Sequence, residues 1–127
     1  MKLRIKGNSL RLRVSPSEVA RLLKYDRLEE TIHFGPQANA KLTYALQQEP
    51  MVSTLTVQYT ENRVAVLLPI NWAIAWGCTD QIGIAEDIAL GELGTLAVLI
   101  EKDFACLDRS EEENQDTFAN PNAGARC

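Results

Sequence analysis

The stretch KLRIKGNSLRLRV, residues 2–14, decides the fold of this chain. Apolar and basic residues alternate along it, as in strands that cover a core with one face, and the phase of the alternation changes at residues 7–9. The chain must bulge or reverse at that point, and the glycine-asparagine pair there suits a two-residue hairpin turn. Reversal would place Leu3 opposite Leu12.

The same reversal would gather the basic side chains of this stretch on one face of the hairpin. Arg4 would lie opposite Arg11, and Lys2 opposite Arg13. Like charges directly opposite one another weaken a strand pair, so we expect something negative to offset them. The cations predicted to form this face are Lys2, Arg4, Lys6, Arg11 and Arg13.

Charge is distributed unevenly along the chain, whose net charge is −4. Residues 1–27 hold eight basic and two acidic groups, whereas residues 28–127 hold five basic and fifteen acidic groups. The acidic average argues against a protein coated with positive charge for nucleic acid, although a local basic face can still attract an anion. The alternative is that the chain's own acidic tail folds back and neutralises the basic face.

The remaining sequence predicts further strands and two short helices. Residues 15–18, Ser-Pro-Ser-Glu, are typical of a helix start, and this helix should run over about Ser17–Tyr25. A second short helix is predicted between Pro69 and Trp76, and strands joined by short turns make up most of the rest. No internal repeat is visible in the sequence.

These elements predict an α+β fold. We expect about seven or eight mostly antiparallel strands in a strongly curved sheet or partly closed barrel, with the two short helices covering it. A chain of 127 residues with 46% hydrophobic content suits one globular domain, which we place at residues 1–107. Residues 108–127 are too polar to build a core and are predicted to form an acidic tail.

Two resemblances accompany this interpretation. The string KGNSLRLRVSPSEV resembles the opening of AbrB/MazE-type swapped-hairpin DNA-binding domains, and it covers about the first quarter of the chain. That resemblance implies a dimeric regulator whose basic residues reach DNA phosphates.

More of the chain is similar to an uncharacterised family of small bacterial proteins. The similarity runs from KLRIKGNSLRLRVSPSEV through TLAVLIEKDFACLD to the Asn-Pro tail. It implies a bacterial, cytoplasmic origin, and no function comes with it.

A metal site is the third hypothesis, and its candidate ligands are His33, Cys106 and Cys127. Structural zinc sites usually bring cysteines in close pairs, and no such pair is present in this sequence. A core position for Cys106 and a non-catalytic role for His33 are the alternatives.

From the sequence we therefore expect a small non-enzymatic binding protein. Its partner would be an acidic protein or a phosphate-containing ligand, with nucleic acid possible but not favoured. No cofactor is expected, because the usual enzyme signatures are absent. No apolar run approaches the length of a membrane helix and no secretion signal opens the chain, so we also expect a cytoplasmic location without a membrane partner.

Overall fold

The computed structural model describes residues 1–104 and 116–118. In chain order, its elements are β1 (Lys2–Ile5), β2 (Ser9–Val14), α1 (Pro16–Tyr25), β3 (Arg27–His33), β4 (Lys41–Gln48), β5 (Thr56–Thr60), β6 (Arg63–Leu68), α2 (Ile70–Gly77), β7 (Gly83–Ala89) and β8 (Thr95–Lys102). A short 3₁₀ turn, Gly91–Leu93, lies between β7 and β8. None of the helices in these residues has the length and apolar character needed to cross a membrane.

The strands form two four-stranded sheets, ordered β1-β2-β8-β7 and β3-β4-β6-β5. The pairs β1–β2, β3–β4, β5–β6 and β7–β8 are antiparallel, whereas the central pairs β2–β8 and β4–β6 are parallel. The α+β prediction is confirmed. The strands of the described residues form two mixed sheets and no closed barrel.

The hairpin at the start of the chain reverses rather than bulges. Its register pairs Leu3 with Leu12, as predicted from the phase change. Lys6 and Ser9 close the turn by exchanging two backbone hydrogen bonds of 3.2 and 3.1 Å. Gly7 has a φ of 55°, a left-handed conformation that glycine adopts without steric cost.

The predicted helix starts and ends agree closely with the structure. The Ser15 side chain caps α1, and the Glu18 carboxylate accepts a hydrogen bond from the Ser15 backbone N–H, which completes a capping box. The second helix ends at Gly77, as the sequence indicated.

The structure contains an internal repeat. Adding 54 to each residue number turns the β1–β2 pair Lys2–Arg13 into the β5–β6 pair Thr56–Leu67. The same shift relates β4 to β8 and preserves the parallel pairing. Ser9 and Ala97, which pair between β2 and β8, correspond to Arg63 and Thr43, which pair between β6 and β4. The chain is therefore two ββαββ units, residues 2–48 and 56–102.

The two units exchange their first hairpins. The β1–β2 hairpin joins β8 of the second unit, and the β5–β6 hairpin joins β4 of the first unit. One hydrophobic core draws on both sheets and both helices. Its most deeply buried side chains recur at the same spacing: Leu12 and Val66, Val14 and Leu68, Leu22 and Trp76, and Leu46 and Ile100.

Candidate anion-binding site

The basic side chains of β1 and β2 lie on the outer face of their sheet. Leu12 and Val14 are 1% and 0% exposed, and side chains alternate between the faces of a strand, so Arg11 and Arg13 point away from the core. The register places Arg4 beside Arg11 on that face.

Carboxylates near the end of β8 neutralise part of this face. Glu101 lies opposite Arg13 in the parallel pairing, and its Oε1 is 2.8 Å from Arg13 Nε and 3.6 Å from Arg11 Nε. Asp103 Oδ2 is 3.0 Å from Lys2 Nζ. The expectation that something negative offsets the facing cations is confirmed, and the negative groups come from the adjacent strand and the residue that follows it.

Arg4 and Lys6 differ from the other three cations. Both are exposed, and neither forms an ion pair with any residue in the ranges 1–104 and 116–118. Arg4 also lines a shallow cleft of about 190 Å³ with Lys2, Leu3, Arg11 and Arg13. The hairpin thus presents five cations against two carboxylates among the described residues, and its exposed end is the part left without a counter-charge.

A larger open groove continues from Arg11 across the same face of the sheet. It has a volume of about 530 Å³, and Ala85 and Ala97 line it. Asp87 lines it as well, on β7. Positive charge is therefore concentrated toward the hairpin, and the groove changes sign as it crosses the sheet.

The neighbouring pocket at the start of α1 is neutralised internally. The backbone N–H and hydroxyl of Ser17 donate to the Asp116 carboxylate, and the hydroxyl bond above all holds the pKa of Asp116 below its usual value. Burial raises the pKa of Glu18, but hydrogen bonds from the amino group of Met1 and from Ser15 outweigh it and leave that pKa lowered. The pocket is about 350 Å³ in volume. Its carboxylates, Glu18, Asp103 and Asp116, offset most of the positive charge of the cations that line it, so it adds little positive excess to the hairpin.

The second unit lacks an equivalent basic face. The residues 54 positions after the five cations are Thr56, Gln58, Thr60, Ala65 and Leu67. Ala65 and Leu67 are also buried, in a small cluster with Val52 packed against it. The basic surface therefore exists on one side of the repeat only.

Of the three predicted metal ligands, only His33 lies within the residues that the structure describes. His33 is an exposed residue at the end of β3, paired in register with Lys41. Among residues 1–104 and 116–118, no group of three His, Cys, Asp or Glu side chains is placed to hold a metal ion. Cys106 and Cys127 lie outside the described residues, as do residues 108–115 and 119–127 of the predicted acidic tail. The metal hypothesis and the tail hypothesis stay predictions.

Glu101 and Asp103 are the site residues that sequence reasoning missed. One signal was available, because Glu101 follows Leu96–Ile100, an apolar run typical of a strand buried on both faces, and an acid there needs a partner. The partner itself could not be identified, since nothing in the sequence indicates that β8 lies beside β2.

The fold and this face together define a two-unit α+β protein with exchanged hairpins and a one-sided basic surface. The chain belongs to a family of unknown function, DUF7009, whose model matches residues 1–122. This confirms the expected membership of an uncharacterised family. No curated protein and no solved structure matches the chain.

Proposed function

We propose that this protein is a small non-enzymatic binding protein whose β1–β2 hairpin engages an anionic partner, either an acidic protein surface or a phosphate-containing ligand. The observation that carries the proposal is the exposure of Arg4 and Lys6 without an ion pair among the described residues. The cytoplasmic location expected from the sequence belongs to the same proposal.

The arrangement of the remaining cations supports this role. Arg11 and Arg13 are about one-third exposed and share a single carboxylate, Glu101. A shared carboxylate leaves guanidinium donors available, and guanidinium groups bind carboxylates and phosphates through paired hydrogen bonds. An incoming anion would meet Arg4 and Lys6 first and these half-neutralised arginines next.

A second candidate function is an AbrB/MazE-like DNA-binding regulator. The observation that favours it is the exchange of hairpins between the two units, which gives one chain a swapped-hairpin arrangement. The absence of cations at the equivalent positions of the second hairpin weighs against it, because a two-fold DNA reader would use both hairpins. We therefore rank it second.

Charge reversal at the exposed end of the hairpin tests the proposal. The double variant Arg4→Glu/Lys6→Glu is compared with Lys24→Glu/Lys41→Glu, which makes the same charge change at two exposed lysines elsewhere. The probes are poly-glutamate, inorganic polyphosphate and a 20-base-pair DNA duplex, each titrated at several salt concentrations.

The proposal predicts that poly-glutamate or polyphosphate binds the native protein with an affinity that falls as salt rises. The affinity for that probe should fall at least tenfold in Arg4→Glu/Lys6→Glu and less than threefold in the control, Lys24→Glu/Lys41→Glu. Absence of binding to all three probes at low salt, or an equal loss in the control, would overturn the proposal. Tight binding of the duplex alone would favour the DNA-binding alternative.

A further inference from the structure

We infer that β1 is an open sheet edge to which an extended acidic peptide segment adds as a fifth strand. This inference rests on the proposed function, because it uses the same hairpin, and it adds the class of partner and the mode of binding. Two features of β1 carry it: the unpaired backbone groups that it presents at the edge of the sheet, and the chemistry of its two faces.

The first feature is that β1 ends the sheet order β1-β2-β8-β7. Lys6 and Ser9 exchange both backbone hydrogen bonds. Because hydrogen-bonded pairs alternate along an antiparallel ladder, Arg4 bonds to β2, whereas the N–H and C=O groups of Leu3 and Ile5 point to the open edge. In the part of the chain that the structure describes, no group bonds to those four edge atoms.

The second feature is the contrast between the two faces of β1. Arg4 and Lys6 project on the outer face, and Ile5, which is 61% exposed, projects on the other. A strand added here would place alternate residues opposite the cations and the intervening residue beside Ile5. The matching segment alternates acidic and apolar residues, such as glutamate-valine-glutamate.

Charge also distinguishes this partner from a second copy of the chain. Pairing of two β1 edges would set cations against cations, which is destabilising. Two edges of another copy carry acids: β3, whose Glu29 and Glu30 already form ion pairs, and β7, with Glu86 and Asp87. A β1–β7 contact would join copies head to tail, so its signature would be an assembly that grows with protein concentration.

The inference competes with a protective role for the same cations. Charged residues on edge strands commonly prevent unwanted pairing with other chains. A protective edge and a binding edge differ in one measurable respect, because only the binding edge accepts a complementary strand.

The test uses the full chain and the peptide acetyl-TEVEVEVT-amide. If the peptide adds antiparallel, the valine opposite Ile5 exchanges backbone hydrogen bonds with Ile5. N-methylation of the valine amides therefore removes hydrogen bonds between the peptide and the edge of β1, whereas N-methylation of the glutamate amides leaves them intact. A scrambled peptide, acetyl-TEEVVVET-amide, keeps the charge and removes the alternation. Affinity is measured by fluorescence anisotropy, and amide hydrogen exchange at Leu3 and Ile5 is measured by NMR.

Ile5→Pro is the matching protein variant, with Ile5→Thr as its control. Proline removes the outward N–H of Ile5 and keeps every cation, and proline is tolerated on the solvent side of an edge strand. We expect peptide binding to slow exchange at Leu3 and Ile5 at least tenfold. Three changes should each weaken peptide binding at least tenfold: N-methylation of the valines, scrambling of the peptide, and Ile5→Pro. The two controls, N-methylation of the glutamates and Ile5→Thr, should weaken it less than threefold.

The failures of the two proposals are distinguishable. If binding is lost in Arg4→Glu/Lys6→Glu but survives Ile5→Pro and valine N-methylation, the anion-binding function stands and strand addition is wrong. If the peptide does not bind while polyphosphate does, strand addition is likewise wrong. If none of the anionic probes binds, or the protein instead assembles with concentration and excludes the peptide, the partner named here is overturned.

Discussion

Gln48 and Lys102 occupy equivalent positions of the two units, and each donates to a backbone carbonyl near the carboxyl end of its unit's helix. Gln48 Nε2 lies 2.8 Å from the carbonyl oxygen of Leu22, and Lys102 Nζ lies 2.6 Å from that of Thr79. Both donors are buried, at 8% and 6% exposure. The repeat has therefore kept a hydrogen-bonding role while changing the residue that performs it.

Replacing either donor should destabilise the protein. Gln48→Met or Lys102→Met keeps a long side chain but removes this hydrogen bond, and such a bond contributes about 0.5–1.5 kcal/mol net, or about 1.5–3 kcal/mol where one partner is charged, as Lys102 is. Chemical denaturation should show that loss in the free energy of unfolding for each variant. Lys41→Met, at an exposed position, is the control and should change it by less than about 0.5 kcal/mol. Equal stability of all three variants would show that these bonds contribute little.

Removing Glu101 should strengthen anion binding. Glu101→Gln frees Arg11 and Arg13 from their shared carboxylate, so the positive potential of the hairpin rises. We expect affinity for poly-glutamate at low salt to increase about threefold to tenfold, an effect that high salt should remove. Asp80→Asn makes the same charge change at an exposed position and should have little effect. A weaker complex with Glu101→Gln would mean that Glu101 orients the arginines for the ligand.

Much of the hairpin could be predicted from local pattern. Alternation and the Gly-Asn turn determine which residues of β1 face those of β2, because both signals lie within thirteen residues. The parallel pair β2–β8 joins residues as distant as Ser9 and Ala97, and a strand's alternation shows its faces but not its neighbour. Glu101 could not be assigned to the basic face for that reason.

The repeat escaped sequence analysis on physical grounds as well. Equivalent core positions share burial but not identity, as Leu22 and Trp76 illustrate, since a core selects for apolar volume more than for one side chain. The outer faces diverge further, because Arg11 corresponds to Ala65. The strand registers and the positions of the buried side chains reveal the two units.

Gly83 should not tolerate a side chain. A Cβ added at Gly83 would lie 2.8 Å from the backbone oxygen of Ile100 in the adjacent strand, closer than such atoms approach. Gly83→Ala must therefore shift the edge strand β7 or its neighbour β8, and overpacking of this kind costs about 1–3 kcal/mol. That exceeds the gain of up to about 1 kcal/mol that alanine brings by restricting the unfolded chain. Thermal unfolding should show a lower Tm for Gly83→Ala than for Ala85→Ser, a matched change in the same strand, and an unchanged Tm would contradict this account.

Acid should weaken the start of α1 through Glu18. The pKa of Glu18 is below its usual 4.5, since hydrogen bonds from the amino group of Met1 and from Ser15 outweigh the opposing effect of burial. A carboxyl with a depressed pKa contributes stability that is present above its unfolded-state pKa and is lost as pH falls through the folded-state pKa.

Glu18→Gln should therefore lower the free energy of unfolding by about 1 kcal/mol at pH 7, the usual value of a helix cap, and by progressively less as the pH is lowered below about 4.5. Urea unfolding at pH 7, 4.5 and 3 measures the difference from the native protein, with Glu92→Gln as an exposed control. A difference that stays constant over this range would show that glutamine replaces the cap and that the charge of Glu18 contributes nothing.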